Sequence, residues 1–175
     1  MGDEGPDPDR RRFLKLASCG VGGAVGVAIV GPTLSLVIDP AGRRTVTTPR
    51  DPLDIGEVTG LGPEWRKFDV IAPQVSDAWV TARDVVLGAA YVRKTDKIEA
   101  LSATCPHLGC PVGWEPENKS FLCPCHNSRF TSDGERFGDG PAKRGLDPLP
   151  IEVQDGRLHL TWVSYKLDTK QREPA

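Results

Sequence analysis

The stretch CPCHNSRF, residues 123–130, poses the question on which the reading of this chain turns. Cys123 and His126 have the spacing of a metal-binding pair, yet Cys125 sits between them with no place among the ligands, and the run ends in a bulky, apolar Phe130. Upstream, CPHLGC at residues 105–110 repeats the theme with Cys105, His107 and a second surplus cysteine, Cys110. Together they read C-x-H, 15 residues, C-x-x-H. Four of the five cysteines and two of the three histidines fall between Cys105 and His126, a clustering that marks this window for chemistry. A structural zinc site takes two thiolates and two imidazoles, but zinc loops open with two cysteines rather than C-x-H, and zinc leaves Cys110 and Cys125 unexplained. A thioredoxin-like pair at Cys123 and Cys125 should open a helix in an α/β unit, whereas Pro-rich loops follow short strands here. A 2Fe-2S cluster with two cysteines on one iron and two histidines on the other uses the same four groups.

The surroundings of this window read as a small β domain. The 175 residues provide one ordinary domain plus extras, and a net charge of −2 creates no field that attracts nucleic acid. Nineteen glycines and 16 prolines, with few aromatics, suit a turn-rich β domain better than a helical bundle. Short β-like runs are WRKFDVIA, DAWVTAR, VLGAAYVRK and IEALSAT, the last two flanking Thr95-Asp96-Lys97. LPIEVQ, Asp155-Gly156 and RLHLTWV form the clearest hairpin, with Leu158, Leu160 and Trp162 alternating against Arg157, His159 and Thr161. His159 is expected on the strand surface. The fold class is all-β: a small antiparallel domain over residues 61–165, carrying two loops at 105–110 and 123–130, followed by a tail at 166–175.

The N-terminal part is different in kind. Residues 1–15, MGDEGPDPDRRRFLK, mix four acidic and four basic residues with Pro6 and Pro8 and read as a solvated tail. Residues 16–38 then run 23 positions without a charge, enough to cross a hydrocarbon core of about 30 Å as one helix. The run is long for a signal peptide and lacks a clean small-x-small cleavage site, so it is expected to stay attached as an anchor, with Cys19 a small apolar residue within it. RRRFLK, residues 10–15, is similar to the twin-arginine export motif. It places the N-terminus in the cytoplasm and everything after Ile38 outside. Residues 39–60 mix Pro, Gly, Thr and charge without a period, as a flexible linker does.

With these residues in view, the chain resembles the Rieske family, and CPHLGC with CPCHNS is similar to the subgroup found in respiratory cytochrome bc-type complexes. The resemblance extends over roughly 61–163 in domain pattern, and over the whole chain once the anchor is included. It implies that Cys105, His107, Cys123 and His126 ligate one Rieske 2Fe-2S cluster, and that Cys110 and Cys125 form a disulfide tying the two loops together. A disulfide suits an exported site, and the twin-arginine route carries folded proteins whose cluster is already in place.

The resemblance also implies the mechanism. His107 and His126 would lie at the exposed tip, one of them accepting a hydrogen bond from quinol held in a cytochrome b-type subunit, and the electron, coupled to a proton, would pass to a c-type cytochrome as the domain swings on its linker. GDGPAKRGL, residues 138–146, lies where the family keeps a proline-rich covering loop, with Lys143 in place of one proline. In high-potential relatives a serine matching Ser128 donates to a bridging sulfide, and a tyrosine at the place of Phe130 donates to a ligand thiolate. Phe130 has no hydroxyl, so an intermediate potential matched to menaquinol is expected. The setting implied is a prokaryotic plasma membrane. The other function this pattern resembles is the small Rieske subunit of an exported molybdenum oxidoreductase such as arsenite oxidase.

Overall fold

A computed structural model describes residues 7–39, 49–77 and 80–175. The chain divides into an N-terminal unit that contains one helix and a β unit over 46–76 and 81–175. Helix α1, Pro8–Ile38, is 31 residues long, about 46 Å at 1.5 Å per residue. Its apolar stretch is long enough to cross a membrane once, and none of the helix residues is buried. The helix starts earlier than the charge-free run. Asp7 caps it by accepting from the Asp9 N–H, Pro8 fits the first turn because its missing N–H has no partner there, and Arg10–Lys15 are good helix formers. Within the stretch expected as a solvated tail, residues 8–15 are helical and exposed, and residues 1–6 lie outside the described residues. Pro32 interrupts the backbone ladder inside the helix, where Thr33 and Ser35 donate back to the Ile29 and Gly31 carbonyls.

Among the described residues the β unit contains ten strands in three antiparallel sheets. Strands β1 (Leu53–Glu57), β9 (Ile151–Gln154) and β10 (Arg157–Leu160) make one sheet in the order β1-β10-β9. Strands β2 (Arg66–Ser76), β3 (Thr81–Lys94) and β4 (Ile98–Ser102) make a second, and β5 (Gly113–Glu115), β6 (Ser120–Cys123), β7 (Ser128–Thr131) and β8 (Arg136–Phe137) a third. The β9–β10 hairpin turns at Asp155-Gly156, both with positive φ, as a two-residue turn matched to strand twist requires. His159 stands half-buried on β10, opposite Asp54 and Glu152. Strand β3 takes Thr81–Arg83 from the run DAWVTAR and continues without a break through VLGAAYVRK; residues 78–79 lie outside the described residues.

The middle sheet serves two cores because successive strand residues point to opposite faces. Val70, Ala90, Val92 and Ala100 join Leu53, Leu158, Leu160 and Trp162 in one core. Tyr91, Leu101 and Ala103 join Phe121, Phe130, Leu146, Cys105 and Cys123 in the other. The second core supports the cysteine and histidine loops.

Two stretches depart from the sequence reading. β1 lies inside the stretch expected to be linker, because Leu53 buries against Leu160 across the β1–β10 pair; residues 40–48 of that stretch lie outside the described residues. The expected tail at 166–175 is tied down instead of free. Arg144 donates to the Thr169 carbonyl and hydroxyl at 2.9 Å, and Arg172 donates to the Leu146 carbonyl at 3.3 Å. Beneath these contacts Arg144 grips Asp147 through two parallel 2.8 Å hydrogen bonds, with only 4% and 7% of the two side chains exposed. Removing one member of such a pair strands a buried charge. Asp147→Ala is accordingly expected to cost about 3–5 kcal/mol, read as a lower urea midpoint with an unchanged slope.

Candidate metal centre

The first loop closes on itself immediately after β4. The Cys105 N–H donates to the Cys110 carbonyl at 2.8 Å and the Gly109 N–H to the Cys105 carbonyl at 2.9 Å. Gly109 has φ +79, a left-handed conformation that glycine adopts without strain, and Leu167 leaves no relaxed space for a Cβ there. The second loop is the β6–β7 turn. Cys123 and Ser128 pair across the ladder, so residues 124–127 must reverse the chain, and Asn127 provides the left-handed residue with φ 57.

These turns sort the donor atoms by depth. Cys105 and Cys123 are each 1% exposed, whereas His107 is half-buried and His126 exposed. The two imidazoles face one another edge to face, with ring centroids 4.9 Å apart. Burial pushes the Cys105 thiol up to about 11; the nearby Cys123 sulfur adds to the rise, while backbone N–H groups of His107 and Leu108 oppose it. Two buried thiols below and two more accessible imidazoles above are a set of donors that could accept metal only by releasing thiol protons.

Cys110 and Cys125 are disulfide-bonded, with their Cα atoms 6.6 Å apart. The Cys123 sulfur lies within 4.8 Å of both disulfide sulfurs. That trio is not itself a metal site, because the two bonded sulfurs are not thiolates. The disulfide instead fastens the two loops beside the buried ligand pair.

The support beneath is aromatic. Phe121, two residues before Cys123, packs against Trp65, Tyr91 and Trp114 at centroid distances of 5.6, 5.1 and 4.7 Å. The Tyr91 hydroxyl donates to the Val112 carbonyl at 3.0 Å and accepts from the Trp114 N–H at 3.1 Å, pinning the chain where it leaves the first loop. Sequence reasoning missed Tyr91, since nothing local distinguishes it from an ordinary strand tyrosine. Phe130 is fully buried in the same core as Cys105 and Cys123. Ser128, also buried, accepts from the Ala142 N–H at 3.2 Å, which leaves its hydroxyl proton free to be donated.

The covering loop lies directly on this floor. A Cβ on Gly140 would come within 2.4 Å of Ser128 Cα, so only glycine permits the approach. Lys143, which replaces a proline of the expected pattern, reaches Asp168 instead. The disulfide closes a 15-residue separation, and its loss is expected to destabilise the domain by about 3 kcal/mol. Thermal unfolding of Cys110→Ser, with and without reductant, measures this directly: reductant should lower the wild-type midpoint towards that of the variant and leave the variant unmoved.

Comparison with known proteins places this geometry. Residues 73–150 match the Rieske [2Fe-2S] domain. The menaquinol:cytochrome c reductase iron-sulfur subunit of Geobacillus thermodenitrificans is 34% identical over 163 residues, covering 91% of this chain and 95% of that protein. The subunit of the same name from Bacillus subtilis (strain 168) is 36% identical over 158 residues, covering 88% and 92%. Among solved structures, a cyanobacterial plasma membrane Rieske protein from Synechocystis PCC 6803 shares 25% identity over 62% of this chain and 97% of its own, with a TM-score of 0.44. The chain thus belongs to the Rieske [2Fe-2S] family, among the iron-sulfur subunits of cytochrome bc-type complexes, and carries one Rieske 2Fe-2S cluster.

Proposed function

We propose that this chain is the electron-transfer subunit of a membrane-bound quinol:cytochrome c oxidoreductase, drawing on menaquinol and delivering to a c-type cytochrome. The observation that carries the reading is the layering of two buried thiols under two accessible imidazoles, fastened by a disulfide. Cys105 and Cys123 would hold the cluster from the buried side and His107 and His126 from the accessible side. When bound, the cluster supplies a one-electron acceptor whose neutral imidazole ligands raise its potential above that of an all-thiolate centre. His126, exposed, would accept a hydrogen bond from a quinol hydroxyl held in a cytochrome b-type subunit through the ring nitrogen not used as ligand, and that nitrogen would take the proton. Ser128, whose hydroxyl oxygen accepts from the Ala142 N–H, would have its proton available to a sulfur of the cluster. Both similar bacterial subunits carry menaquinol in their names, which supports the same donor here.

The setting follows from the two ends of the chain. Helix α1 anchors the protein by a single pass, and the twin-arginine motif in its first turns sends the β domain to the outer face of a prokaryotic plasma membrane. The Cys110–Cys125 bond supports that side, since reducing cytoplasm disfavours such bonds. Purification through this subunit from detergent-solubilised membranes should recover b-type haem. Recovery of a molybdopterin subunit without b-type haem would overturn the reading in favour of a molybdenum oxidoreductase.

Phe130 reports on the quinol. A hydroxyl at this buried position would add a donor to the sulfur layer and favour the reduced, more negative state. A bond worth roughly 1–1.5 kcal/mol corresponds to about 40–65 mV for one electron. Phe130→Tyr is expected to raise the midpoint potential by that order. A titration within about 10 mV of wild type, well below that shift, would remove the hydrogen-bond argument for a low-potential donor.

A further inference from the structure

The C-terminal residues form a closed strap. The Lys166 N–H donates to the Glu173 carbonyl at 2.8 Å, their side chains pair at 2.9 Å, and the Ala175 N–H returns to the Ser164 carbonyl at 2.9 Å. At its apex the Asp168 N–H donates to the Pro106 carbonyl at 2.9 Å. That carbonyl belongs to the same peptide unit as the His107 N–H, which points at the Cys105 sulfur. One peptide group is therefore held between the strap and the sulfur layer. On the other side, Lys143 Nζ donates to the Asp168 carbonyl at 3.0 Å and to its carboxylate at 2.8 Å. Lys143 Nζ keeps the Asp168 carboxyl below the usual carboxylate range, chiefly through that hydrogen bond.

We propose that Asp168 is a positioning residue for His107, and that the Lys143–Asp168 pair sets the electrostatic environment in which the centre is reduced. The proposal rests on the ligand assignment given above. The Asp168 backbone fixes the peptide that precedes the His107 ring and polarises its N–H toward Cys105, because a peptide whose carbonyl accepts a hydrogen bond donates a stronger one. The side chain supplies a negative charge beside His107, and Lys143 offsets it. Lys143 thus takes over, by an ion pair, part of the cover that a proline would provide by shape.

The two charges make opposite predictions, which a purely mechanical latch does not. Lys143→Met leaves the carboxylate uncompensated and should disfavour reduction. Asp168→Asn leaves the ammonium uncompensated and should favour it. Asn suits the positive φ of 55 at this position, so the backbone bond to Pro106 is retained. At separations of several ångströms with solvent screening, each should change the reduced-to-oxidised ratio about threefold, about 28 mV, and the double variant should return close to wild type. Redox titration of the full-length protein in membranes, followed by its electron paramagnetic resonance spectrum, reads the shifts, and Lys143→Arg should restore wild-type behaviour. Shifts of the same sign, no shift, or loss of the cluster in Asp168→Asn would each overturn the proposal, the last because the residue would then act through folding alone. Failure of the wild-type protein to show a Rieske spectrum would instead overturn the ligand assignment, independently of the variants.

Discussion

Two hairpin loops must each bring one buried sulfur and one accessible nitrogen to a common point, and the Cys110–Cys125 bond is the constraint that makes them do so. Neither loop has a core of its own. The first is a short turn closed by its own backbone hydrogen bonds, and the second is the reversal between two four-residue strands. Left separate, each would sample many positions relative to the other, and the metal would have to supply the ordering free energy. The covalent link, the aromatic stack under Cys123 and the Tyr91 hydroxyl together do that ordering in advance.

The layering has electronic consequences. On the proposed ligand assignment, burial of the two thiols would keep water from the sulfur side of the centre, while the more accessible imidazoles would leave the other side open to a partner and to protons. Around this arrangement the chain distributes a small number of donors and charges: Ser128 from below, the His107 and Leu108 N–H groups onto Cys105, and the Lys143–Asp168 pair to one side. The fold is a frame in which each of these can be changed without moving the ligands, and that is how one family spans a wide range of potentials.

What was legible in the sequence is local, and what was not is long-range. The cysteine and histidine window could be read because its residues lie within a single stretch and their chemistry is unusual in combination. The β9–β10 hairpin could be read because Asp155-Gly156 and the alternation at Leu158 and Leu160 sit side by side. β1 reads as linker because five residues with one glycine carry little signal, and Leu53 becomes core only through Leu160, 107 positions away in the chain. The C-terminal strap reads as a tail because its composition is polar, and its partners, Pro106, Lys143 and Arg144, are brought to it only once the loops are folded. The early start of α1 depended on a cap at Asp7 that a charge count overlooks.

The central claim is that two histidines, not four cysteines, complete the centre and couple its electron to a proton. A redox titration of the membrane-bound protein over a wide pH range tests it most directly. The account predicts a midpoint potential that is level in acid and falls with rising pH, by about 59 mV per unit where one proton accompanies one electron. A potential independent of pH over the whole range would contradict it.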